Sequence, residues 1–269
     1  MGSSASRRPL IAIDMLAAWR RLREARALRR HAIPDALWQR TLARYAFLAR
    51  RDADDAEQLR RLATLFLGCK EFAGAQGLTV TDEMAVAIAA QACVPVLKLG
   101  LAWYDSFVGI VVHPDEVSVP REVTDDAGVV HRYTEVLAGE AMDGGPMMLS
   151  WRDVQAAGAA DDWAYNVVIH EFAHVIDLRD GLSDGIPPLA GARAREAWSA
   201  VLDDEFERFC RAVDAGRDTV LDPYAAQGHD EFFAVASEAF FVAPRDLHEE
   251  QPALYRLLAG FYRQDPAAR

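Results

Sequence analysis

The sequence predicts an α+β fold, a mainly helical single domain with a small, mostly antiparallel sheet. Three observations carry that expectation. Apolar residues recur at helical spacing through about residues 14–100 and again from about Trp163 onward. Short β-type runs are confined to about residues 107–150. No internal repeat and no low-complexity linker divides the 269 residues, a length that suits one body with a substantial core.

In chain order, residues 1–13 are expected to form a disordered tail, 14–100 a helical N-terminal part, and 101–269 the part with the sheet and the candidate site, all within one domain, 1–269. Pro34 opens one helix, and the stretch 79–82, just before Glu83, has the composition of a helix start. Leu62, Leu65, Phe66 and Phe72 read as a core stripe. The expected strands are 108–112, 129–137 and 147–151, separated by turn-prone Asp125, Asp126 and Gly128 and then by Gly144, Gly145 and Pro146. Helical spacing returns over 163–178, 194–215 and from His229 to the end.

Hydrophobic content of 51% and a mean hydropathy of -0.05 suit a globular chain and argue against wholesale disorder. The net charge of -12 argues against a nucleic-acid partner, because phosphate binding needs clustered Lys and Arg. The charge is uneven: residues 1–61 carry +7 and the remainder -19. Arg20, Arg21, Arg23, Arg29 and Arg30 read as the wet face of amphipathic helices, with a docking face for an acidic partner as the alternative. No stretch reaches the roughly 18–20 apolar residues of a membrane span, so no membrane partner is expected. The N-terminal apolar run is interrupted by Asp14 and lacks a small-residue cleavage site, so no export signal is expected and the location is read as cytoplasmic. Cys69, Cys93 and Cys210 are far apart without a C-x-x-C pair and read as buried free thiols of a reducing compartment.

The segment Asn166-Val-Val-Ile-His170-Glu171-Phe-Ala-His174-Val-Ile-Asp177 carries the chemistry. Residues four apart share one helix face, so His170 and His174 can offer two imidazole nitrogens to one zinc ion, with Glu171 beside the open position as general base. Val167, Val168, Ile169, Phe172, Ala173, Val175 and Ile176 surround these groups, which implies a buried helix. Two histidines and a glutamate are costly there unless paired or bound to metal.

A catalytic zinc needs a third protein ligand, and three spacings compete. Asp180 lies six residues after His174, but the pattern that uses this spacing needs a turn-forming Gly where Asp177 stands. Glu196 lies twenty-two residues after His174, among Arg193 and Arg195, in what reads as a solvated surface. Glu231 stands at a helix start before Phe232, Phe233, Val235 and Phe240, at the edge of an apolar wall, and is favoured.

Val-Ile-His-Glu-Phe-Ala-His (168–174), Asp-Pro-Tyr-Ala-Ala (222–226) and Glu-Phe-Phe-Ala-Val-x-Ser-Glu (231–238) resemble the bacterial metallopeptidases typified by Mlc titration factor A. Gly145-Pro-Met-Met-Leu-Ser-Trp151, Lys70-Glu-Phe72 and Phe261-Tyr-Arg-Gln-Asp-Pro266 are similar too, so the resemblance covers most of the chain from about residue 30. It implies a zincin-type active-site helix and a gluzincin-type site, with one Zn2+ per chain on His170, His174 and Glu231 and with Glu171 as the base. Tyr224 occupies the place of that family's active-site tyrosine, as in the similar catalytic domain of anthrax lethal factor. A phenol there can donate to a developing oxyanion; the alternative is an interfacial core Tyr. The resemblance further implies a peptide substrate, aminopeptidase-like cleavage of small substrates, and association with a transcriptional repressor of sugar uptake. The chain departs from the family pattern at residues 227–230 and in its Arg-rich N-terminus.

Asp177, one turn past His174, is placed to orient an imidazole N–H, with a helix-end surface acid as the alternative. Glu238, two turns after Glu231, is placed either for a similar role or to pair with an arginine. His113, His131, His229 and His248 read as loop or surface residues, His229 having the best claim to touch substrate. The runs 108–112 and 147–149 are candidates for an exposed sheet edge on which a peptide adds as a strand. Two other functions compete: a regulator-binding protein with a structural or latent zinc site, and a hydrolase for a non-peptide amide or ester.

Overall fold

The computed structural model describes residues 22, 24–115, 117–124, 130–137, 139–141, 145–157 and 164–268, those between 116 and 144 by their backbone alone. The expected tail at 1–13 and Arg20, Arg21 and Arg23 lie outside these residues; Arg29 and Arg30 are exposed at the end of a helical run, 24–30.

The first half is built from α1 (Asp35–Arg44), α2 (Ala53–Cys69), β1 (Glu71–Gly74) and α3 (Asp82–Ala92). Pro34 is the residue before α1. The Asp52 carboxylate accepts from the Asp55 amide at the start of α2, and the Thr81 hydroxyl accepts from the Met84 amide at the start of α3. Each satisfies one of the orphan N–H groups of a helix start. There follow β2 (Gly109–His113), β3 (Val117–Thr124), β4 (Val130–Leu137), β5 (Gly139–Ala141), β6 (Met147–Ser150) and α4 (Trp151–Ala156). The rest is helical: α5 (Val167–Asp177), α6 (Ala192–Asp214), α7 (His229–Val242), α8 (Pro244–Glu250) and α9 (Pro252–Tyr262). Pro244 and Pro252 stand in the first turns of α8 and α9, where a missing N–H costs nothing. Among the described residues no helix is long and apolar enough to cross a membrane.

The α+β class holds, but the expected antiparallel character of the sheet needs correction. The main sheet has the order β1-β2-β6-β5, and both the β1–β2 and β2–β6 ladders are parallel. Only β5 runs antiparallel on β6, and β3 pairs with β4 in a separate antiparallel ribbon. Strands that follow one another closely suggest hairpins, whereas parallel pairing needs a crossover. Here α3 supplies it between β1 and β2. The four residues of β1 lie inside the stretch read as helical and are too few to display a two-residue period. The order also places β2 and β6 inside the sheet, so neither is the exposed edge that their runs suggested.

One apolar core runs from Ile33 to Tyr262 and draws on both halves of the chain. Leu62 and Phe66 are buried in it, Leu65 is buried beside them, and Phe72 packs partly buried against it. The helix α5 passes through the middle. Its β-branched Val167, Val168, Ile169, Val175 and Ile176 have modest helix propensity, so tertiary packing holds it. Phe172 is fully buried and its ring meets Phe66, Tyr104 and Phe107; burying such a ring stabilises by about 1.5–3 kcal/mol. On its flanks α5 meets α7, α3 and β5. Of the cysteines only Cys93 is buried; Cys69 is exposed and Cys210 half-buried, and all three are free thiols. Cys69 is the last residue of α2, where the apolar stripe runs out.

Candidate metal centre

Two helices build the site. The Asn166 side chain caps α5, its Oδ1 accepting from the Ile169 amide at 3.0 Å, and the next turns carry His170 and His174 on one face. α7 packs on α5 and presents Glu231 from its first turn, held in place by the fully buried Phe232 and Phe233.

His170 Nε2 lies 3.1 Å from Glu231 Oε2 and 3.2 Å from His174 Nε2, and His174 Nε2 lies 3.5 Å from the same Glu231 oxygen. His170, His174 and Glu231 thus each aim one ligand atom at a common point, all within 4.8 Å of one another. The structure brings these three together and leaves the other two candidates elsewhere. Asp180 is exposed and pairs with Arg195 at 3.2 Å, and Glu196 is exposed on α6.

On the far side of the His170 ring, Nδ1 lies 2.8 Å from Glu238 Oε1. A neutral His170 then donates from Nδ1 and keeps its Nε2 lone pair for the common point. The other Glu238 oxygen accepts from the Asn166 backbone amide, and the Asn166 side-chain Nδ2 donates to Gln91 Oε1 at 2.8 Å. The place of Glu238 on the face of Glu231 is legible from helical spacing. Asn166 and Gln91 were missed: Asn166 stands in the sequence only as the first residue of the segment that carries the two histidines, and Gln91 is one polar residue in an apolar run.

Burial works against a charge on His170, but Glu231 and Glu238 outweigh it and hold its pKa well above the ordinary value. Burial alone would raise Glu231, yet its contacts with His170 and His174 win and hold it far below the usual carboxylate range. Glu171, 6% exposed, is pushed up by burial, and so is Glu238 despite its histidine partner. The carboxylates of Glu171, Glu231 and Glu238 thus favour positive charge at His170. Glu231 Oε2 is itself buried and makes no hydrogen bond of good geometry. Two imidazole nitrogens and one carboxylate oxygen, the last an orphaned acceptor, fit a tetrahedral metal that leaves one position open.

Tyr224 lies in the 3-10 turn Pro223–Gln227, which Asp222 caps by accepting from the Tyr224 amide at 2.8 Å. Its ring centre is 6.1 Å from that of His170 and the residue is 42% exposed, so it is no core tyrosine. Asp177 departs from both expectations. It is fully buried, and its Oδ2 accepts from the Gly185 amide at 2.9 Å rather than from a histidine. As the last residue of α5 it meets the loop that folds back beneath the helix, and burial pushes its pKa up to about 6 against the pull of the Gly185 amide.

His229 is engaged with α6: its Nε2 lies 3.1 Å from Asp203 and its ring lies tilted against Phe206. His113 ends β2 with both ring nitrogens buried, His248 is exposed on α8, and the side chain of His131 lies outside the described residues.

Comparison with known proteins agrees with this architecture. The family described as glucose-regulated metallo-peptidase M90 matches residues 18–263. Mlc titration factor A of Edwardsiella ictaluri is 39% identical over 225 residues, covering 82% of this chain and 85% of the relative. That of Pectobacterium atrosepticum is 38% identical over 235 residues, covering 86% and 87%. An uncharacterized Synechocystis protein is 33% identical over 252 residues, covering 92% and 90%. With a match across nearly its whole length, the chain belongs to the glucose-regulated metallo-peptidase M90 family.

Proposed function

We propose that the protein is a zinc-dependent peptidase, aminopeptidase-like on short peptides, with one zinc per chain held by His170, His174 and Glu231. The observation that carries this reading is the convergence of His170 Nε2, His174 Nε2 and Glu231 Oε2 on one point, beside a buried Glu171. When bound, zinc supplies an acidified water and polarises the scissile carbonyl.

In this reading Glu171 takes the water proton on its carboxylate and returns it to the leaving amine. Tyr224 reaches in from its exposed turn to donate a hydrogen bond to the developing oxyanion. Glu238 fixes the His170 ring, and Asp177 holds the loop beneath the helix. A peptide substrate is supported by β5, which ends the main sheet and packs against α5, a place where an extended chain can pair. A cytoplasmic location is supported by three free thiols.

A second role, association with the Mlc repressor, is supported by the name Mlc titration factor A carried by the enterobacterial relatives. The test is zinc content by elemental analysis together with hydrolysis of a panel of aminoacyl and short-peptide substrates, comparing wild type with Glu171→Gln. The peptidase reading expects one zinc per chain in both and turnover in wild type alone. Zinc without turnover on any substrate overturns it in favour of a regulator-binding protein with a structural or latent zinc site.

A further inference from the structure

We propose that Asn166 is a positioning residue of the metal centre, acting through Glu238 on His170 and anchored by Gln91 on α3. The inference rests on the reading of His170, His174 and Glu231 as metal ligands. Gln91 and Asn166 are fully buried and Glu238 is 3% exposed, so none of their polar atoms has bulk water as an alternative partner.

Every arm of Asn166 is committed. Oδ1 accepts from the Ile169 amide at 3.0 Å and starts the metal-site helix. Nδ2 donates to Gln91 Oε1 at 2.8 Å, and Gln91 Nε2 donates in turn to the Ala87 carbonyl at 3.2 Å. The backbone N–H of Asn166 donates to Glu238 Oε2, while Glu238 Oε1 faces His170 Nδ1 at 2.8 Å. The two side-chain bonds fix the backbone of Asn166, whose φ of -154° and ψ of 92° aim its N–H at Glu238. Glu238 is thereby held at both oxygens, and the His170 ring cannot swing without breaking one of them.

Helix capping alone does not require asparagine, because Ser, Thr and Asp cap as well. Among these capping residues only Asn accepts on one arm of its side chain and donates through an amide on the other. Aspartate would set a second carboxylate against the Gln91 oxygen and close to Glu238. Serine would keep the cap but is too short to reach Gln91. The residue type thus answers to the link between α3 and the metal site as well as to the start of α5.

The test measures the zinc dissociation constant of the full chain by competition with a chromophoric chelator, alongside the melting temperature of the metal-free protein. The variants are Asn166→Ser, Asn166→Asp, Gln91→Met, Glu238→Gln and the Asn166→Ser/Glu238→Gln pair. Supporting groups of this kind typically cost 10- to 100-fold in metal affinity or activity when replaced. The expected loss is about tenfold for Asn166→Ser and Asn166→Asp, with kcat falling and KM nearly unchanged. In the Glu238→Gln background the same Asn166→Ser change should cost less than about twofold, because the path it acts through is already cut. Equal losses in both backgrounds, or wild-type affinity in both Asn166 variants, overturn the inference while leaving the zinc reading intact. A wild type that takes up no zinc overturns that reading and this inference with it. Where Asn166→Asp fails to fold, Asn166→Ser and Gln91→Met decide the matter.

Discussion

Gly185 and the carbonyl group of His229 approach so closely that a Cβ on Gly185 would stand 2.2 Å from the His229 oxygen. Gly185 has a φ of +72°, its N–H donates to Asp177 and its carbonyl accepts from the Trp198 indole at 3.0 Å. The loop leaving α5 is thus seated directly against the start of α7, two residues before Glu231. One glycine sets the spacing between the helix that carries both histidines and the helix that carries the carboxylate.

Gly185→Ala should therefore act on stability and on the site together. A left-handed conformation costs an L-residue about 1–2 kcal/mol, and crowding against backbone adds about 1–3 kcal/mol. The expected destabilisation is about 2–5 kcal/mol by denaturant unfolding, with weaker zinc binding as the first turn of α7 moves. Unchanged stability and zinc affinity would show that the two helices are spaced by other contacts.

The third ligand position is tested by replacing each acid that competes for it. Glu231→Ala should abolish tight zinc binding, whereas Asp180→Ala and Glu196→Ala should leave it unchanged. Asp180→Ala breaks a surface ion pair with Arg195, worth about 0–1 kcal/mol, and a hydrogen bond accepted from the Leu182 amide. Zinc titration of the three variants checks this; full affinity in Glu231→Ala would send the assignment back to Asp180 or Glu196.

The end of α5 and the start of α3 were legible because apolar spacing and capping residues are local signals, whereas the start of α5 lies four residues after the expected Trp163. The place of Glu231 at a helix start was legible because an acid followed by Phe232 and Phe233 marks such a start against an apolar wall. What escaped depends on tertiary pairing. β1 has only four residues, and its parallel partner lies some forty residues on, so neither its existence nor its direction leaves a local pattern. Asp177 shares the helix with His174, but its partner is a backbone amide of the next loop, which no side-chain spacing encodes. The exposure of Cys69 and Cys210 likewise follows from where α2 and α6 meet their neighbours, since a cysteine in a helical stripe reads the same at either end.

Asp177 makes stability depend on pH in a defined direction. Its pKa is about 6 in the fold against an ordinary 3.8, so the folded state holds the proton more tightly than the unfolded chain does. Its contribution is fully present below pH 3.8 and is lost as pH rises through 6. The full loss amounts to about 3 kcal/mol. In the metal-free protein, Asp177→Asn keeps an acceptor for the Gly185 amide and carries no charge. It should be close to neutral at pH 4 and stabilising by about 2–3 kcal/mol at pH 8, relative to wild type at each pH. Denaturant unfolding at both pH values checks this, and an Asp177→Asn effect independent of pH would show that Asp177 ionises in the fold as it does in water.

Tyr224 separates a chemical role from a structural one more cleanly than any other residue of the site. It is 42% exposed on a turn that Asp222 caps, and phenylalanine keeps its ring. Tyr224→Phe should leave the melting temperature and zinc affinity as in wild type. Removing a donor to a developing oxyanion costs about 10²–10³ in kcat in well-characterised hydrolases. The phenol here sits on an exposed turn, so a loss of about 10- to 100-fold is expected, with KM little changed, because the hydrogen bond strengthens only as charge builds on the oxygen. Steady-state kinetics on the best substrate of the panel gives the answer. A rise in KM with kcat intact would place Tyr224 in substrate binding, and no change in either would remove it from the chemistry.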